Sequence, residues 1–400
     1  MTGRVLFVTS NYPRWDGDST TPFVHDLAVD LSQRGWPVSV LAPHYPGAAR
    51  REELDGIEVR RFRYLLPESA QTVCYGGGAL VNVARSRVTL AKTPVLVAAE
   101  WAATAARLRD RFDVVHAHWV LPQGFVVTSV PARGAASVIT AHGGDVFGLR
   151  GTIVDRFARR ALRRADAVTA NSGATERALA GISPGSAVTR IPMGADVTSA
   201  DPVLVATRRV AGPLLAFAGR IVADKGVDDL VDAVQILSAA YPQLRAVVVG
   251  AGQHLEAVRR RAVTRGVSER IDFAGWSKRR DVAAWLAAAD VVVAPSRVGA
   301  DGWQEGQGLS IIEAMAQGRP VVATATGGIA ETIADGVTGV LVPPEDSPAL
   351  ATAIAGLLAD PVGAAAMGER ARTHVLATFS RAASADRFAA LYGRLLASRP

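Results

Sequence analysis

The chain has 400 residues, 49% hydrophobic and 20% charged, enough apolar material for two cored domains of roughly 200 residues and too much for a disordered polymer. Its single cysteine, Cys74, excludes a disulfide scaffold and a cysteine zinc cluster. The formal charge of +7 is held unevenly, with 23 Lys and Arg against 17 Asp and Glu in residues 1–200 and 21 against 20 in residues 201–400.

The opening Val5-Leu-Phe-Val reads as a strand, because an export signal would need about seven or more consecutive apolar residues. Thr20 and Thr21 ahead of Pro22 predict a helix N-terminus with proline in its first turn. Val38–Leu41, Val114–His116, Val138–Thr140, Ala167–Thr169 and Val188–Ile191 follow as further strands. Residues 114–132 lack Asp, Glu, Lys and Arg, but His116, His118, Pro122 and Gln123 interrupt them, so they do not predict a membrane span. A soluble protein of a reducing, cytoplasmic compartment is the expectation. Pro192–Asp196 and Asp201-Pro-Val form a turn-rich connection and place the domain division at 200/201.

Beyond it, short apolar runs alternate with helical patterns. Leu214–Ala218 precedes a helix over Val227–Ala240, and Ala246–Val249 precedes one over His254–Arg265. Ile271–Ala274 precedes Val282–Ala289, Val291–Ala294 precedes a helix near Leu309–Gln317, and Val321–Thr324 precedes Ile329–Ala334 and then Val340–Val342. Continuously apolar strands are buried on both faces, as in a parallel sheet. The predicted class is therefore α/β, with two doubly wound parallel-sheet domains facing a central cleft. Ligands of such sheets sit at the carboxyl ends of strands.

The richest segment runs from Pro295 to Pro320. Glu305 lies in a loop after a strand and Glu313 one turn into the next helix, on either side of Gly306, Gln307, Gly308 and Leu309. Bare glycine amides beside a helix N-terminus suit a diphosphate, and flanking carboxylates can accept hydrogen bonds from sugar hydroxyls. The bland alternative is a turn residue and a solvated helix face. After the strand at 214–218, Gly219-Arg220…Lys225-Gly226 offers an arginine fork and a lysine point charge. Lys225 is one of only three lysines in the chain.

The pattern Gly-Arg…Lys-Gly, then Pro-Ser after a strand, then Glu-x7-Glu-Ala-Met-Ala, resembles the family 4 glycosyltransferases, retaining enzymes of the GT-B fold. The resemblance covers nearly the whole chain and is strongest between Phe217 and Pro344. It implies a donor-diphosphate site at Gly219, Arg220 and Lys225, ribose contacts from Glu313, and a nucleobase resting on the loop with Trp276 and Lys278. Glu305 would meet the transferred sugar, with the 306–309 backbone closing over it. The resemblance also places a histidine at the donor sugar, which makes His142 the catalytic candidate of the first domain. The acceptor-side candidates are Asp18, Thr21, His118, Trp119 and Asp145. The resemblance implies a domain over 1–200 for the acceptor, one over 201–375 for the nucleotide sugar, and a C-terminal helix over 376–400 crossing back to the first. One departure stands out: the loop after the first strand, Tyr12–Pro22, lacks the Gly-Gly pair common in the family.

Other motifs are weaker. His116 and His118 alternate onto one strand face and suggest either a metal pair or the wall of an acceptor pocket, but no third ligand accompanies them. Asp16-Gly-Asp18 matches the Asp-x-Asp of metal-dependent sugar transferases yet sits in a polar loop. Gly250-Ala-Gly252 lacks the third glycine of a dinucleotide fingerprint. Gly76–Gly78 has no evident purpose.

These readings lead to a retaining, metal-independent glycosyltransferase with no cofactor. Its donor is a nucleoside diphosphate sugar, UDP first and GDP next. The acceptor is a glycan, a lipid-linked carrier or a small molecule. The basic first half favours an anionic acceptor or peripheral contact at the inner membrane face, unless arginine-rich composition alone explains it. No nucleic-acid motif accompanies that charge. The rivals are a phosphorylase or hydrolase on the same scaffold and a non-enzymatic sugar-binding protein.

Overall fold

The alternating apolar runs do become strands, and the alternation inside each strand decides what it packs against. In the second unit, Leu215 and Phe217 belong to one apolar cluster while Leu214, Ala216 and Ala218 belong to another. Neighbouring side chains of one strand point to opposite faces, so this sheet is covered on both sides. A computed structural model describes residues 2–18, 20–76, 78, 79, 82, 83, 86–147, 149, 154–299 and 302–399. It divides the chain into two units, residues 1–194 with 381–400, and residues 195–380. These divisions lie five or six residues from the 200/201 and 375/376 positions read from the sequence.

The first unit runs β1 (Val5–Val8), α1 (Pro22–Gln33), β2 (Val38–Pro43), β3 (Arg51–Leu54), β4 (Ile57–Phe62), α2 (Arg87–Arg107) and β5 (Val114–His118). It continues through β6 (Ala136–Ala141), α3 (Asp155–Arg164), β7 (Ala167–Ala170), α4 (Gly173–Ile182) and β8 (Val188–Arg190). The sheet order is β3-β4-β2-β1-β5-β6-β7-β8, parallel except for the β3–β4 pair. The C-terminal helix, Arg381–Ala397, packs on α1, its Phe388 and Tyr392 are buried, and its Arg381 forks Asp30 at 2.9 and 2.8 Å.

The β3–β4 hairpin and helices α2, α3 and α4 were not read from the sequence. The β3–β4 hairpin turns at Asp55-Gly56, and its outer strand is the charged, partly exposed Arg51-Glu-Glu-Leu. Helix α2 carries Pro94 internally and reads locally as broken. At α1 the expected N-cap position is correct, but Thr21 gives its hydroxyl to the Asn11 carbonyl at 2.9 Å and leaves the helix uncapped by a side chain.

The second unit runs α5 (Pro202–Arg208), β9 (Leu214–Ala218), α6 (Val227–Leu237), β10 (Arg245–Val249), α7 (Leu255–Thr264), β11 (Ile271–Gly275) and α8 (Arg279–Ala288). Then come β12 (Val291–Ala294), α9 (Leu309–Ala316), β13 (Val321–Thr324), α10 (Ile329–Thr332), β14 (Val340–Val342), α11 (Ser347–Ala359) and α12 (Pro361–Thr378). All neighbours in the order β11-β10-β9-β12-β13-β14 are parallel. The expected linker at Asp201-Pro is instead the start of α5, with the Asp201 carboxylate accepting the Val203 amide at 2.9 Å. Among the described residues no single helix is long and apolar enough to cross a membrane.

Candidate functional site

A doubly wound sheet opens a crevice where its strand order reverses, because the loops leaving two adjacent strands diverge there. In the second unit that point lies between β9 and β12. The β9 loop carries Gly219, Arg220 and Lys225, and the β12 loop carries Glu305 through Gly308. Arg220 is exposed. Lys225 is half-buried, ion-paired with Glu305 across 80 residues of sequence, and stands 5.7 Å from the ring centre of Trp303.

Several contacts make this pairing a property of the fold. Gly226 has φ +63°, and a Cβ there would run into the Pro295 carbonyl, so only glycine lets the β9 loop lie against the β12 exit. Arg297 then clamps the two loops. Its guanidinium forks Asp229 on α6 at 2.8 and 2.7 Å, and its amide donates to the Asp224 carbonyl at 2.8 Å. Neighbouring Asp228 holds His254 at 2.7 Å. From the other side, Gly327 has φ +51°, and a Cβ would meet the Glu305 carbonyl, which accepts the Gly328 amide at 2.8 Å.

Gly308, with φ +78°, starts α9 with no side-chain cap, leaving first-turn amides for an anion. Gln307 is buried and its carbonyl accepts the Thr332 hydroxyl at 3.0 Å; Leu309 is the first helical residue. Glu313 lines a cavity of about 420 Å³ with Asp196, Arg279 and Gln317. Trp276 and Lys278 border a second hollow, also about 420 Å³, with Arg208 and Trp285. Glu305 and Glu313 therefore serve different places, the first on Lys225 and the second in a cavity wall.

In the first unit the order reverses between β1 and β5. Alternation puts His116 and His118 on one face of β5, both fully buried, with ring centres 4.3 Å apart. His116 is tied at both ring nitrogens, to the Tyr392 hydroxyl at 2.6 Å and the Thr140 hydroxyl at 2.6 Å. The β5–β6 register sets His118 beside Thr140, and His142 follows two residues later. His118 Nδ1 and His142 Nε2 are 3.2 Å apart. Burial pushes His116 and His142 down to about 3 and His118 well below the ordinary imidazole value, so all three are neutral at pH 7.

Half-buried His142 also faces Phe23 at 5.2 Å and Trp119 at 5.0 Å between ring centres. Trp119 holds φ +81°, a strained conformation for a residue with a side chain. Asp145 is buried and accepts the amides of Val120 at 2.8 Å and His142 at 2.9 Å. Burial pushes its carboxyl up to about 6 despite these bonds. It ties the β5 exit to the β6 exit.

Asp18 is also turned inward. Burial opposes its charge, but the Arg14 fork at 2.7 and 3.0 Å holds it below the usual carboxylate range, and Thr20 adds a bond at 3.1 Å. Of the side chains expected at the acceptor, Asp18 and Thr21 thus bond to their own loop, Asp145 bridges the β5 and β6 exits, and His118 is enclosed. Trp119 keeps partial exposure. Among the described residues no cluster of three or more His, Cys, Asp and Glu is placed to hold a metal ion. Asp229, Arg297, Trp303, Phe23 and Tyr392 have no local pattern that marks them in the sequence.

Comparison with known proteins places this geometry. Residues 21–199 match the family described as Glycosyltransferase Family 4, and residues 212–360 match Glycosyl transferases group 1. A GDP-mannose-dependent alpha-(1-6)-phosphatidylinositol monomannoside mannosyltransferase of Mycolicibacterium smegmatis is 36% identical over 248 residues, 59% of this chain and 64% of that protein. The Mycobacterium tuberculosis protein of the same name is 29% identical over 388 residues, 94% of each chain. In the M. smegmatis relative the match stops short of two thirds of its length, and in two further relatives it spans 52% and 45%. Anabaena Alr3699/HepE, solved in complex with UDP, shares the fold with a TM-score of 0.75 and 22% identity over 98% of this chain and 100% of that one. Two doubly wound parallel sheets, matched in turn by these two family models, place the chain in glycosyltransferase family 4, with the GT-B fold.

Proposed function

We propose that this protein transfers a sugar from a nucleoside diphosphate to an acceptor hydroxyl, with retention at the anomeric carbon and without a metal ion. The observation that carries the reading is Lys225 held on Glu305 at the β9–β12 switch point, beside exposed Arg220 and the uncapped start of α9. In the reaction the anomeric C–O bond to the diphosphate breaks. The acceptor oxygen bonds to the same face of that carbon, and its proton passes to the departing diphosphate. Arg220 and Lys225 neutralise the charge that develops there. As the diphosphate engages Lys225, the Glu305 carboxylate is released toward the sugar. Glu313 and the 276–278 loop serve the nucleoside. His142 is the first unit's contribution to the transferred sugar, and Trp119 its contribution to the acceptor.

The donor expected from sequence was UDP-linked, with GDP next. The named mannosyltransferases shift our reading to GDP-mannose, and their acceptor, a phosphatidylinositol monomannoside, favours a lipid-linked polyol here. The uneven positive charge of the first half supports an anionic lipid acceptor reached at a membrane surface.

Thermal unfolding with GDP, UDP, ADP and TDP, each with and without EDTA, tests the donor site. A ligand at 100 times its dissociation constant adds about 2.7 kcal/mol, or roughly 5–10 °C for a unit of this size. The expected result is a GDP-selective shift that EDTA leaves unchanged. A larger shift with UDP would move the donor assignment, an EDTA-sensitive one would overturn metal independence, and no shift with any nucleotide would remove Arg220 and Lys225 from a diphosphate site. The anomeric configuration of the product, read by NMR, tests retention.

A further inference from the structure

We infer that His118 fixes the tautomer of His142, so that His142 meets its substrate as an Nδ1–H donor and not as a base. The two rings lie 17° from coplanar with centres 5.4 Å apart, and their facing nitrogens, His118 Nδ1 and His142 Nε2, are separated by 3.2 Å. That is the geometry of an in-plane N–H···N bond, which holds one proton between two neutral rings. The proton has two places to sit. If His142 Nε2–H donates, the remaining proton of His118 must be on its own Nε2. That atom is buried and has no partner. If His118 Nδ1–H donates, the same buried atom carries only a lone pair. A buried N–H without an acceptor is costlier and rarer than a bare acceptor, so the second arrangement wins.

His118 cannot escape by turning. His116 stacks on it at 4.3 Å and is itself pinned by Tyr392 and Thr140, and Phe7 stands edge-on to it at 4.6 Å. With Nε2 accepting from His118, the proton of His142 sits on Nδ1. His142 is the one ring of the three with exposure, since His116 and His118 are fully buried. His118 is thus a positioning residue, acting through His142. The consequence agrees with the proposed reaction, in which the diphosphate takes the acceptor's proton and His142 has only to donate a hydrogen bond to a sugar hydroxyl. That consequence rests on the reading above; the tautomer does not.

The test is 15N NMR of the full chain labelled at histidine, joined to release of GDP from GDP-mannose. In the unmodified protein His142 should show a protonated Nδ1 and an unprotonated Nε2. His118→Phe fills the space without a donor and should shift His142 toward Nε2–H and lower kcat about tenfold, with GDP affinity unchanged. His118→Asn, whose amide can donate from a similar position, should keep the tautomer and most of the rate. A proton on His142 Nε2 in the unmodified protein, or an unchanged tautomer in His118→Phe, overturns the inference. If the tautomer moves as expected and kcat does not, the tautomer assignment holds and the placement of His142 at the substrate fails.

Discussion

At the switch point of the second sheet the central side chains form an ion pair; at that of the first they are neutral imidazoles held by burial. Lys225 and Glu305 keep partial exposure, with side chains 17% and 15% accessible, and their loops are braced by the Arg297–Asp229 fork. His142 leans on two histidines with no exposure at all. Partly exposed ions can exchange one counterion for another, which suits a diphosphate that arrives and leaves. A stack of neutral imidazoles cannot exchange charge but holds direction, which suits recognition of hydroxyl groups. The same architecture therefore presents a labile ionic site in one unit and a rigid neutral one in the other.

The largest effect should come from separating the partners of the ionic site. Glu305→Ala leaves Lys225 free for a diphosphate and removes the group we assign to the sugar, so GDP release from GDP-mannose should fall by about 100- to 1,000-fold, with GDP affinity nearly unchanged. Lys225→Ala should instead weaken GDP binding by about 10- to 100-fold, the range of a hydrogen bond to a charged group. Calorimetric titration with GDP, run beside turnover, separates the two. Equal loss of GDP affinity in both variants would reduce the pair to a structural ion pair.

The two sites were not equally visible in the sequence. Continuous apolar runs gave away most strands of both sheets, because a strand buried on both faces must be apolar throughout. Arg220, Lys225, Glu305 and Glu313 stood out as candidates because they fall in one pattern, Gly-Arg…Lys-Gly and Glu-x7-Glu, whose resemblance to a family implies their roles. The Arg297–Asp229 clamp did not, since its halves are 68 residues apart and each alone reads as a solvated charge. Alternation placed His116 and His118 together. Their meeting with His142 depends on the β5–β6 register, and the pinning of His116 depends on Tyr392, 276 residues away. The β3 strand escaped notice because an exposed edge strand carries charges.

Acidity should divide the units next. Helix α2 places Glu100 wholly inside the first unit, where burial pushes its carboxyl up to about 8 although Gln123 donates to it at 3.0 Å. The unfolded chain releases that proton near pH 4.5, so the folded form binds more protons between pH 4.5 and 8 and loses stability as pH rises through that window. The buried histidines act oppositely. Their stabilisation is complete above the unfolded value near 6.5 and is lost as pH falls toward about 3. Stability should peak near pH 6.5. Glu100→Gln should be superior to the parent by an amount that grows through pH 5 to 8, reaching about 4 kcal/mol, and a pH-independent difference in thermal unfolding would refute this origin.

The ionic site should respond to the geometry of its clamp. Asp229→Asn leaves the Arg297 guanidinium beside a neutral amide; a fully buried pair would lose about 3–5 kcal/mol. Arg297 is 25% accessible, so about 2 kcal/mol is expected, or roughly 4–8 °C in thermal unfolding. GDP affinity should fall as well, because the β9 and β12 loops lose their clamp. Joining Arg297→Met to Asp229→Leu should recover stability but not affinity. Recovery of both would mean that the glycine contacts alone hold the loops.

The smallest effect belongs to a pair that imitates the ionic site in the neutral unit. Tyr12, His25 and Asp55 form a chain, with the Tyr12 hydroxyl 2.7 Å from His25 Nδ1 and His25 Nε2 2.7 Å from Asp55. Short distances alone would suggest a strong strut under the β1 loop. Exposure argues otherwise, since the Asp55 side chain is 70% accessible and water replaces most of what it gives. Asp55 also has φ +49°, where asparagine is as well tolerated as aspartate, so Asp55→Asn removes the charge without adding backbone strain. The expected loss is below about 1 kcal/mol, a shift of no more than about 4 °C. A larger shift would mean that the β1 loop relies on an ion pair after all, and that the first unit's site is held partly by charge.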